Sequence, residues 1–151
     1  PLRAIAALYI NVVRGVPDVL FFLFFPLAFE QLVEWVRAQV DSPALCFNYD
    51  HSHFVLRGIS PEEAAAIMVP HAAATHLKDA AGDPARFQFM LPGEGDFDYP
   101  AFFRLLAGLG YDGYLTVEVS GMVFNRPGYE PVSEARRCQE FLSAALAAAA
   151  L

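Results

Sequence analysis

Three short apolar runs constrain this chain more than any other feature. LCFNY at 45–49, AAATHL at 72–77 and YLTVEV at 114–119 are each followed by a segment with helical spacing. Short strands alternating with helices predict βα units and a parallel sheet, an α/β fold. The intervening segments agree. Ser60-Pro61-Glu62-Glu63 predicts a helix start with a capping box, Ser60 as N-cap and Glu63 reaching back. Ala64, Ile67 and Met68 give that helix its apolar stripe. Asp98 is placed to cap a second helix, with Phe102, Leu105, Leu106 and Leu109 at helical spacing and Gly110 as its end. Ser133 precedes a third, with Ala135, Cys138, Leu142 and Ala145 on one face. Between the second strand and Asp98 the sequence reads as a long loop through Gly82 and Gly95.

Residues 1–40 are of another character. Ala4 to Val13 and Val19 to Phe29 carry no charge, and Arg14 and Asp18 separate them. A spanning helix needs roughly 20 apolar residues, and Pro26 interrupts the second run. The segment therefore reads as an apolar helical hairpin broken near Gly15-Val16-Pro17, with membrane contact through residues 1–40 left open. The chain begins at Pro1 rather than Met, as a piece of something longer or a processed product would. The boundary near Val40 to Pro43 divides it into an apolar segment, 1–40, and a βα portion, 41–151. A net charge of −7, with ten scattered basic residues, excludes a nucleic-acid partner, because phosphate binding rests on clustered Lys and Arg. Cys46 and Cys138 sit in apolar surroundings without metal spacing and read as buried thiols. Reduced thiols fit a cytoplasmic protein, membrane association being the alternative.

Alternate side chains of a strand point to opposite sides of its sheet. Cys46, Asn48 and Asp50 thus share one side of the first strand, and Ala72, Ala74, His76 and Lys78 one side of the second. On the third, Tyr114, Thr116 and Glu118 lie opposite Leu115, Val117 and Val119. Ligands of α/β folds bind at the C-terminal ends of strands. Asp50, His76 and Glu118 are placed to converge there, and two carboxylates with an imidazole suit Mn²⁺, Mg²⁺, Co²⁺ or Zn²⁺. Blander readings stand beside this one. Asp50 can be a turn or cap acceptor, His76 a satisfied polar residue, and Lys78 can pair with Asp79. Glu118, flanked by valines, is the least comfortable bystander, since a buried carboxylate needs a partner.

Two resemblances add to this reading. YINVVRGVPDVLFFLFFPLAFEQ resembles a segment of the permease subunits of ATP-driven polar amino-acid transporters, through Arg14, Gly15, Val16 and Pro17. From about Pro43 to Leu142 the chain resembles the C-terminal portion of the xylose isomerase-like barrel family of sugar and sugar-phosphate isomerases and epimerases. The signals are D-x-x-H at Asp50 and His53, H-x-K-D at His76, Lys78 and Asp79, and PGEGDFDYPAFFRLLAGLGYDGYLTVE ending at Glu118. The family resemblance implies a partial (β/α) barrel of three βα units, because 151 residues fall short of the roughly 250 a closed barrel usually needs.

It further implies a divalent metal held by Asp50, His76 and Glu118, with His53 and Lys78 near the oxygens of a small sugar or sugar phosphate. Glu118 would then also be the acid/base of a proton transfer next to a carbonyl, through an enediolate. A second metal-binding Glu of the family would lie on the preceding strand, where this chain has its permease-like segment, and Glu30 and Glu34 are poor substitutes. Three βα units leave open sheet edges, so oligomer formation through those edges, or cover by the N-terminal hairpin, is expected. The alternatives to an isomerase or epimerase domain are a membrane transport fragment and a non-catalytic α/β module made by joining two coding pieces.

Overall fold

The computed structural model describes residues 45–150 and, before them, the helical residues 31, 35 and 38–40. The chain divides into two compact units, Pro1–Leu45 and Cys46–Leu151, and the elements named below belong to the second. Apart from those five positions, the apolar hairpin expected over 1–40, with its seat against the sheet, lies outside the described residues, as do Glu30 and Glu34.

Strands β1 (Phe47–Asp50), β2 (Ala72–Leu77) and β5 (Tyr114–Val117) form a parallel sheet in the order β1-β2-β5. Between β2 and β5 the chain makes an antiparallel hairpin of β3 (Asp79–Asp83) and β4 (Arg86–Met90). The helices are α1 (His51–Val55), α2 (Pro61–Met68), α3 (Tyr99–Gly108), α4 (Gly121–Phe124) and α5 (Pro131–Ala148). This is the α/β class expected, with its three parallel strands. No helix among the described residues is long and apolar enough to cross a membrane.

Local chemistry explains most of the boundaries. Ser60 Oγ accepts from the Glu63 N–H at 3.2 Å, and Glu63 Oε2 accepts from the Ser60 N–H at 3.3 Å, completing the capping box of α2. Asp98 Oδ1 accepts from the Ala101 N–H at 2.9 Å and starts α3. Helix α5 begins at Pro131, earlier than Ser133 suggested, because the fixed φ of a proline suits the first helical position. The long loop expected before Asp98 is instead a hairpin in its first part. Asp83 Oδ1 accepts from the backbone N–H groups of Ala85 (2.8 Å) and Arg86 (3.0 Å), closing a turn that the small residues of β3 had hidden.

The helix-covered side of the sheet presents Tyr49, Thr75 and Leu77, all buried. Over it lie Ala64, Ala65 and Met68 of α2, Phe102, Phe103 and Leu106 of α3, and Leu142 of α5. Fully burying each of those phenylalanines stabilises by roughly 1.5–3 kcal/mol. Ala65 and Phe103 take core positions, whereas Ile67 and Leu109 stay exposed. Cys138 is buried in a smaller cluster with Leu91 and Val123. Cys46 corrects the expectation of two buried thiols: it precedes β1 and is exposed. Leu115 on β5 and Val119 just after it are also exposed, lining a groove of about 430 Å³ with Leu142 and Leu146 of α5.

Candidate metal centre

The register of the sheet decides which side chains meet. Asp50 lies beside His76, and His76 beside Thr116. Beyond β5 the ladder continues by one bond, the Glu118 N–H donating to the Leu77 carbonyl at 3.1 Å. Lys78 and Glu118 each stand two residues past the His76–Thr116 pair, so their side chains rise on the same side at the same level. The result is a layer of Asp50 and His76 with a layer of Lys78 and Glu118 above it.

His76 Nδ1 lies 2.9 Å from Glu118 Oε2, and because a carboxylate only accepts, the imidazole donates there. Lys78 Nζ donates to the same oxygen at 2.6 Å and forms an ion pair with Asp50 Oδ2 at 2.8 Å. The lysine side chain is only 2% exposed, against 12% for Asp50 and 34% for Glu118. Its ammonium also lies 3.4 Å from His53 Nε2 and 4.2 Å from the centre of the Phe89 ring on β4. His53, projecting from α1, comes within 3.5 Å of Asp50 Oδ2 and leaves 48% of its side chain exposed.

The two oxygens of Asp50 do different work. Oδ1 accepts from the Ser52 N–H (3.1 Å) and Ser52 Oγ (2.6 Å), capping α1, while Oδ2 faces Lys78. Capping α1 therefore leaves one Asp50 oxygen directed at the cluster. Burial alone would raise its pKa, but hydrogen bonds from Lys78 and Ser52 and the lysine charge outweigh it and hold the carboxyl below its ordinary range. Lys78 does not pair with Asp79. The Asp79 carboxylate turns away and accepts from the N–H groups of Gly93 (3.0 Å) and Gly95 (2.6 Å).

Donor atoms of Asp50, His76 and Glu118 all lie within 4.8 Å of one another. Two carboxylates and one imidazole at that spacing fit a hard or borderline divalent cation. His51, although next to Asp50, is no part of this cluster. Its ring stacks on Phe97 with centroids 3.9 Å apart, and burial holds its pKa down to about 4, so it is neutral at pH 7. It lines a separate cavity of about 720 Å³ with Ser52, Met90 and Phe97, which includes none of the three donors. Phe89 was not singled out from the sequence. Its alternation with Phe87 around Gln88, after the Asp83-Pro84 turn, was the signal for β4.

Parallel βα units with a carboxylate–imidazole–carboxylate cluster at their C-terminal ends define a portion of a (β/α) barrel with a candidate metal site at its rim. The chain belongs to the xylose isomerase-like TIM barrel family, whose family model matches residues 18–144. Among solved structures, a xylose isomerase domain protein from Planctomyces limnophilus is similar, at 25% sequence identity and a TM-score of 0.50. That likeness covers 76% of this chain and 40% of the other, so the chain spans less than half the length of its structural relative. No curated protein matches it. The family match begins inside the permease-like segment, and nothing in the comparisons bears on the permease resemblance.

Proposed function

We propose that this chain carries the metal-binding rim of a sugar or sugar-phosphate isomerase or epimerase. One observation supports this above the rest: three donors from three neighbouring strands lie within 4.8 Å, in a chain of this family. We assign Asp50, His76 and Glu118 as ligands of a divalent metal, Glu118 also as the acid/base, and His53 and Lys78 as contacts to substrate oxygens. A cation held there supplies Lewis acidity to a carbonyl and its adjacent hydroxyl, which acidifies the C–H between them. Glu118 then takes or returns that proton; its Oε2 already accepts hydrogen bonds from His76 Nδ1 and Lys78 Nζ. His53 is the most exposed member of the cluster and the one best placed to meet a ligand from solvent. The residues 41–151 form the barrel portion in this reading.

Calorimetric titration of the 151-residue chain with Mn²⁺ tests it. Binding is expected in the wild type and loss of at least tenfold in affinity in His76→Ala and in Glu118→Ala. A wild type that binds no Mn²⁺, Mg²⁺, Co²⁺ or Zn²⁺ would sink the assignment. With metal present, exchange of sugar C–H for deuterium in D₂O, followed by NMR, reads the proton transfer and should vanish in Glu118→Gln. A second reading concerns residues 1–40 alone: the uncharged runs at 4–13 and 19–29 suit membrane association. Partition of the purified chain into the detergent phase would support it.

A further inference from the structure

Lys78 is the chain's only lysine, set against nine arginines, and it is nearly inaccessible between two carboxylates. We propose that Lys78 is an internal counter-cation which a divalent metal displaces, so that loading of the Asp50–His76–Glu118 cluster frees the ammonium toward the substrate side. The inference rests on the metal-site reading above.

The geometry carries the argument. Lys78 Nζ holds Asp50 Oδ2 at 2.8 Å and Glu118 Oε2 at 2.6 Å, and these belong to two of the three groups the metal would use. A divalent and a monovalent cation sharing the same carboxylate oxygens repel each other strongly, and the divalent one gains more from them. Residue type fits the exchange. A guanidinium would lock both carboxylates in a planar fork, whereas an ammonium is a point charge on a flexible stem. Displacement also has somewhere to go. His53 Nε2 lies 3.4 Å from Nζ and the Phe89 ring 4.2 Å away, so the ammonium keeps a polar and an aromatic neighbour after leaving the carboxylates.

Mn²⁺ titration of the wild type, Lys78→Met and His76→Ala tests the exchange, with thermal melts to check folding. Lys78→Met is expected to bind Mn²⁺ at least tenfold more tightly than wild type, and His76→Ala at least tenfold more weakly. Equal or weaker binding by Lys78→Met would overturn the exchange and leave the metal site standing, while no binding by any variant would overturn both. If Lys78→Met does not fold, the wild type itself gives the answer. Acylation of its single lysine by a succinimidyl ester, followed by peptide mass spectrometry and referenced to the N-terminal amine, should accelerate several-fold with saturating Mn²⁺. An unchanged or slower rate would overturn the exchange.

Discussion

Asp50 caps α1 with one carboxylate oxygen and faces Lys78 with the other, and the two duties separate by substitution. Asparagine caps about as well as aspartate, so Asp50→Asn should keep α1 while losing the charge that faces Lys78. Asp50→Ala removes both. It should be less stable than Asp50→Asn by about 1 kcal/mol in urea denaturation, with Mn²⁺ affinity lost in each. Equal stabilities would mean that the Ser52 bonds contribute nothing to folding. At this scale the sequence was legible in its faces and illegible in its pairings. Alternation placed His76 with Lys78 and Thr116 with Glu118 correctly, because it depends on one strand at a time. The partner of Lys78 depends on the register between strands, set by the β2–β5 ladder, and no local spacing reveals it. Asp79 looked like that partner only because it is next in the chain.

Elements with a strong boundary residue were readable, as Ser60 and Asp98 show for α2 and α3. The β3–β4 hairpin was not, because Asp79-Ala80-Ala81-Gly82-Asp83 has neither alternation nor β-branched residues. Its pairing comes from β4 and from the turn. Gly82 is what lets the two strands close: its φ is +96°, and a Cβ there would run into the Arg86 carbonyl oxygen. Gly82→Ala should therefore cost more than about 1 kcal/mol, read by chemical denaturation. Because β4 carries Phe89, the same substitution should also raise the acylation rate of Lys78. A hairpin that tolerates alanine at this position without either effect would contradict the account.

Across the molecule, Glu94 ties three segments together. It accepts from the Leu91 N–H at 2.8 Å, and its oxygens meet Arg126 after α4 at 2.9 Å and Arg137 on α5 at 3.0 Å. Burial works against its charge, but the Leu91 bond and the two arginines outweigh it and lower its pKa from 4.5. A carboxyl lowered on folding contributes stability in full above pH 4.5, and that contribution fades as pH falls through its folded value. Glu94→Gln should lose roughly 0.5–1 kcal/mol at pH 7, the pairs being partly solvated, and the gap to wild type should narrow below pH 4.5. Urea midpoints from pH 3 to 7 check the sign. The two-layer stacking over β2 has a harsher outcome. If β2 slid by a single residue against its neighbours, His76 and Lys78 would leave together for the oily side while Thr75 and Leu77 surfaced in their place. A cluster built on such alternation has no half-strength form; injury to the sheet extinguishes it outright, and surviving sheets keep it whole.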